Sequence, residues 1–133
     1  MQILVVDDNA DGAHTLARVL QLYGHETHVA LGGPQALQAA RDQPPDVVLL
    51  DLAMPQMDGY ELAKRLREQL TPRRFKLAAL TGYGQEADYV RSKAEGFDQH
   101  FVKPIDPAEL HAWLQRLALS DRDRCVLTNS VTR

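Results

Sequence analysis

Three short stretches of this chain, Ile3-Leu4-Val5-Val6, Val47-Val48-Leu49-Leu50 and Lys76 to Leu80, run as near-continuous apolar blocks without polar alternation. Extended backbone sends successive side chains to opposite faces, so strands of this kind must be covered on both sides. The interior of a parallel sheet flanked by helices supplies that cover. Two more mixed candidates, Glu26 to Ala30 and Gln99 to Val102, bring the expected strands to five.

The segments between them carry helical signals. After Asn9 or Asp11 as a cap, Ala13, Leu16, Ala17 and Leu20 repeat at i, i+3, i+4 and i+7, and Gly24 marks the stop. Gly33-Pro34 opens a second helix with Ala36, Leu37 and Ala40 inward. Asp58 caps a third, in which Leu62, Leu66 and Leu70 recur before Pro72 ends it. The fourth, around Glu86 to Ala94, is the weakest, with Val90 and Ala94, joined by Ala87 or Tyr89, as its residues to bury. The fifth is the best marked: Asp106 as N-cap, Pro107 at N1, Glu109 at N3 and a stripe of Leu110, Trp113, Leu114 and Leu117. Five strands alternating with five helices specify an α/β domain of flavodoxin-like, doubly wound (βα)5 type, with a five-stranded parallel sheet of order 2-1-3-4-5 and helices on both faces. Residues 1–119 form this domain. From about Ser120 the periodicity is lost, and 120–133 is expected to be a disordered tail or linker remnant.

Composition narrows the function. A length of 133 residues suits one domain, and 44% hydrophobic with 25% charged residues is ordinary globular composition. A formal charge of -3 and the absence of a basic stripe speak against direct nucleic-acid binding. No apolar stretch approaches the roughly 20 residues of a membrane span, and the first residues carry no signal-peptide pattern. A cytoplasmic place, away from membranes, is expected. The single cysteine, Cys125, reads as an incidental thiol in a polar tail.

The strand ends carry the chemistry. Ligands of doubly wound sheets bind outside the carboxyl ends of the strands where the order reverses, here between the first and third. Those two end in Asp7-Asp8 and Asp51. Three carboxylates at one edge repel each other unless a cation joins them, and oxygen ligands suit a hard divalent ion, Mg²⁺ first with Mn²⁺ as the alternative. The fourth strand delivers Thr81 to the same edge and the fifth delivers Lys103, a hydroxyl and an ammonium suited to phosphate oxygens.

Leu-Val-Val-Asp-Asp at 4–8, Asp51 followed by Met54-Pro55-Gln56-Met57-Asp58-Gly59, Leu80-Thr81-Gly82 and Val102-Lys103-Pro104 appear in order at matching strand ends. Over roughly residues 2–119 the chain resembles a receiver domain of two-component signalling, the response regulator family. The resemblance implies phosphorelay signalling in which Asp51 takes a phosphoryl group from the phosphohistidine of a histidine kinase or phosphotransfer domain. It implies Mg²⁺ held by Asp8, Asp51 and the Ala53 carbonyl, with Asp7 holding a metal-bound water. Thr81 and Lys103 would each meet a phosphoryl oxygen, and Lys103–Pro104 is an expected cis peptide. Such a domain catalyses only its own phosphorylation and dephosphorylation, and it passes the signal to a downstream protein or fused domain, or to a second copy of itself in a phosphorylation-dependent homodimer. The fourth helix, fifth strand and fifth helix form its expected output face.

One position departs from the family. Where a Tyr or Phe normally exchanges rotamers as Thr81 moves, this chain has His100. Two readings stand: a switch residue with weaker or pH-dependent coupling, or an exposed edge-strand histidine without that role. Phe101 points to the opposite face and belongs to the core. Ala53 and Tyr83, two residues past Asp51 and Thr81, are expected to set a slow to moderate loss of the phosphoryl group. His14, His25, His28 and His111 lack metal-ligand spacing and read as structural or solvated.

Rival functions fit less well. A phosphatase using an aspartyl phosphate wants an acid two residues past the nucleophile, where Ala53 stands, and a flavin phosphate would be repelled by Asp7-Asp8-Asn9. A pseudo-receiver acting only as an interaction module is the remaining alternative. The stretches Ala79 to Gln85 and Gly96-Phe97-Asp98 resemble receivers attached to hybrid sensor histidine kinases, or to methylesterase-kinase fusions, more than those in front of DNA-binding domains, with a stand-alone regulator as the other setting.

Overall fold

The computed structural model describes residues 1–54, 58–82 and 86–132, the backbone alone at 86–89 and 120–132. Its elements alternate along the chain as β1 (Gln2–Val6), α1 (Ala10–Leu22), β2 (Glu26–Ala30), α2 (Gly33–Asp42), β3 (Val47–Asp51), α3 (Gly59–Leu70), β4 (Lys76–Thr81), α4 (Glu86–Ala94), β5 (Gln99–Val102) and α5 (Pro107–Thr132). All strand pairs are parallel and the order is β2-β1-β3-β4-β5. The unalternated blocks do occupy the middle of the sheet, and the two mixed strands are its edges.

Each central strand feeds two cores. Leu4, Val6, Val48, Leu50 and Ala79 face one side with Ala36 and Ala40 of α2 and Leu62, Ala63 and Leu66 of α3. Ile3, Val5, Val47, Leu49, Ala78 and Leu80 face the other with Ala13 and Leu20 of α1 and Leu110, Trp113 and Leu114 of α5. Phe101 belongs to this second core, edge-on to Trp113 at 5.7 Å between ring centres. Its neighbour His100 therefore faces the α3 and α4 side.

The expected caps close the loops at the site edge. Asn9 Oδ1 accepts from Gly12 N (3.2 Å), Asp58 Oδ1 from Tyr60 N (2.9 Å) and Asp106 Oδ1 from Ala108 N (2.9 Å). Gly59 has a different reason to be where it is: a Cβ there would lie 2.8 Å from Leu52 Cδ2 and 3.1 Å from Leu52 Cα. The start of α3 is packed directly on the turn that follows Asp51.

One expectation needs correction. Val90 and Ala94 were the residues assigned to bury α4, yet both are exposed, Val90 to 69%, and the buried side chain is Ser92 at 1%. A helix with so few apolar residues does not fix its own phase; here polar partners fix it. Arg67 of α3 donates to the carbonyls of Glu95 and Gly96 just past the helix, both at 3.0 Å, and Arg91 lies 3.9 Å above the Tyr60 ring. The backbone of α5 runs as helix to Thr132, past the end of its apolar stripe. The expectations for Tyr83 and for the side chains of Ala87, Tyr89 and Cys125 fall outside the described atoms.

Candidate functional site

At the carboxyl edge of the sheet the pairing of β1 with β3 puts Val6 beside Leu50, so the next residues, Asp7 and Asp51, arrive together. Both are buried, whereas Asp8 is exposed. One oxygen from each of the three acids lies within 4.8 Å of the others, the one such group among the described residues able to hold a metal ion. No histidine takes part in it. His111, for example, stacks on Tyr23 at 3.9 Å, away from this edge.

Lys103 enters the cluster from the end of β5. Its Nζ donates to Asp7 Oδ2 at 2.7 Å and to Asp51 Oδ2 at 3.0 Å, with the lysine side chain one-third exposed and both carboxylates nearly closed off. The other oxygens are held by backbone: Asp7 Oδ1 accepts from Asn9 N (3.0 Å) and Asp51 Oδ1 from Ala53 N (2.9 Å). Two buried acids thus share one ammonium. Burial pushes the Asp51 carboxyl above its ordinary range, and the Asp7 carboxylate adds to this; the Ala53 N–H and Lys103 pull it down without fully compensating. Burial works against the Lys103 ammonium too, but its bonds to Asp7 and Asp51 and their charges outweigh it, and its value rises. An oxygen-rich cluster of three acids balanced by a single lysine fits a divalent cation, which would supply the missing positive charge.

Thr81 is fully buried at the end of β4, and its Oγ1 lies 2.7 Å from His100 Nε2. The opposite ring nitrogen, Nδ1, lies 3.1 Å from Ser92 Oγ in α4. His100 is not an exposed edge residue: its ring is part-buried and engaged at both nitrogens. Ser92 had no signal in the sequence, being one serine inside a weak helix. Asn9, expected only as a cap, also orients Asp7 through its backbone N–H. Lys103–Pro104 is cis as expected, and so is Thr71–Pro72, which was not foreseen.

A family model described as the response regulator receiver domain matches residues 3–115. The chain belongs to that family. Among curated proteins, this receiver is 37% identical over 120 residues to an uncharacterised 14.6 kDa protein of Leptolyngbya boryana, covering 90% of this chain and 92% of that one. It is 35% identical to the alkaline phosphatase synthesis transcriptional regulatory protein PhoP of Bacillus subtilis, over 84% of this chain but 45% of PhoP. The receiver thus matches nearly the whole of one relative and less than half of another. Among solved structures, the chemotaxis protein CheY4 of Vibrio cholerae superposes with a TM-score of 0.78 at 32% identity, over 86% of this chain and 96% of that one. Membership makes the domain a phosphoacceptor module of two-component signalling. No helix among the described residues is long and apolar enough to cross a membrane.

Proposed function

We propose that Asp51 is the phosphoacceptor and that the receiver takes its phosphoryl group from a phosphohistidine on a histidine kinase or phosphotransfer domain. The observation that carries this reading is Lys103 Nζ bridging Asp7 and Asp51 beside the buried Thr81 hydroxyl. An Asp51 carboxylate oxygen attacks phosphorus, the P–N bond breaks, and its electron pair returns to the donor imidazole, leaving an acyl phosphate on Asp51. Lys103 exchanges its contact with Asp51 Oδ2 for a phosphoryl oxygen, and Thr81 donates its hydroxyl to another. Asp7, Asp8, Asp51 and the Ala53 carbonyl would hold Mg²⁺, or Mn²⁺, whose charge neutralises the oxygens of a loose transition state. Little else is needed, because phosphoryl transfer is mainly positioning and charge neutralisation.

The signal leaves through the face formed by α4, β5 and α5, toward a downstream protein, a fused domain or a second copy of the chain. The same chemistry serves a hybrid kinase or a stand-alone regulator, in the cytoplasm where such phosphohistidine donors act. Alanine at position 53, with no polar side chain to hold an attacking water, goes with a slow to moderate loss of the phosphoryl group. The test is labelling by acetyl phosphate with and without Mg²⁺. Labelling that requires the ion and disappears in Asp51→Asn is expected. Equal labelling of Asp51→Asn would overturn the assignment, and no labelling of either would leave the interaction-only pseudo-receiver.

A further inference from the structure

We infer that His100 and Ser92 are positioning residues for the Thr81 hydroxyl, and that the ring passes the state of the site to α4 by exchanging which of its nitrogens carries the proton. This rests on the reading of Asp51 above, because it supplies the phosphoryl oxygen that Thr81 turns to.

The resting arrangement follows from hydrogen-bond bookkeeping. A neutral imidazole has one N–H and one acceptor nitrogen. The Thr81 hydroxyl is fully buried, and among the described residues its side-chain partner is His100. A buried O–H needs an acceptor, so Thr81 donates to Nε2. The 2.7 Å separation suits a hydroxyl donor, and 3.1 Å on the other side suits a ring N–H donor. With Nε2 accepting, Nδ1 holds the proton and donates to Ser92 Oγ. The resting chain therefore runs in one direction, from Thr81 through the ring to Ser92.

Once Thr81 gives its hydrogen to a phosphoryl oxygen, Nε2 loses its donor. A ring still held at both nitrogens keeps its bond to Thr81 by donating in turn. One proton then leaves Nδ1 to water and one is taken up at Nε2, so the ring stays neutral and no charge is added. Ser92 Oγ reverses from acceptor to donor. The part-buried ring has the access to water that this exchange requires. A phenol or phenyl ring at position 100 has no such second nitrogen; it would have to report by rotating. Here the report is a reversal of hydrogen-bond direction inside α4, at that helix's buried serine.

Ring-nitrogen NMR of the full chain labelled with ¹⁵N, recorded above the usual histidine range at about pH 8, reads the proton directly. His100 is assigned by the signal lost in His100→Phe, and beryllofluoride with Mg²⁺ stands in for the phosphoryl group. The expected result is Nδ1–H in the free protein and Nε2–H with beryllofluoride bound. In Ser92→Ala the Nδ1–H population of the free protein falls by about 3-fold or more, the loss of one ordinary hydrogen bond. The same protonated nitrogen in both states, an imidazolium in either, or no response to Ser92→Ala overturns the inference. If beryllofluoride fails to bind the unaltered chain, it is the Asp51 reading that fails. The free-state proton and its dependence on Ser92 then still decide the resting assignment.

Discussion

Helices α3 and α4 follow neighbouring strands that both end at the site, yet they are held by opposite means. Helix α3 buries Tyr60, Leu62, Ala63, Leu66 and Leu70, whereas α4 turns Val90 outward and buries Ser92. Apolar burial is non-directional and costs several kcal/mol to undo, while a hydrogen bond contributes about 1 kcal/mol and can be remade in another direction. The contrast separates a packed frame from a polar fastening: α3 fixes the turn after Asp51, and α4 is fastened by hydrogen bonds and a cation–ring contact.

The sharpest way to break that comparison is to cut into the frame. Leu66→Ala is expected to lower unfolding free energy by about 2–5 kcal/mol in urea titrations, the usual result of emptying a fully packed leucine site. A loss under about 1 kcal/mol would remove the distinction. Gly59→Ala should cost about 1–3 kcal/mol, because the new methyl meets Leu52 at 2.8 Å and the turn behind Asp51 must move. The same variant should slow acetyl phosphate labelling more than it lowers stability would suggest, since Ala53 N and Asp51 are joined through that turn.

Next comes the charge at the centre. The folded-state carboxyl of Asp51 lies above its unfolded value, so the native state binds this proton more tightly. The unmodified chain therefore loses stability as pH rises from the ordinary carboxylate range through the raised value. Without divalent ions, Asp51→Asn should be the more stable protein at neutral pH, and the gap should close in acid. Thermal unfolding against pH checks this, and added Mg²⁺ should stabilise the unmodified chain alone. The smallest effect belongs to α4: Val90→Ala should change stability by under about 0.5 kcal/mol, as at an ordinary exposed position.

Much of this was legible in the sequence, for identifiable reasons. Continuous apolar blocks located β1, β3 and β4 to within a residue because strands buried on both faces leave no freedom in what they contain. The same period of two separated Phe101 in the core from His100 on the other face. Caps such as Asn9, Asp58 and Asp106 announced themselves because their chemistry is local. What escaped depended on partners distant in the chain. The phase of α4 is set by Arg67, Tyr60 and His100 from outside the helix, so its own apolar residues misled. That Lys103 joins the acid cluster was legible as a shared edge, but its choice of Asp7 and Asp51 over the exposed Asp8 depends on three-dimensional placement.

That placement has a consequence for how the receiver rests. An ammonium already seated between two carboxylates offsets part of the charge at this edge, so a divalent ion arriving there would meet a partly occupied seat. Its observed affinity would then reflect two cations drawing on the same carboxylates, one tethered to the chain and one free. A tethered competitor is always present at the same local concentration, whatever the ionic composition around it. Under the proposed reading, Lys103 would therefore set a threshold on ion loading and cover Asp51 until that threshold is passed.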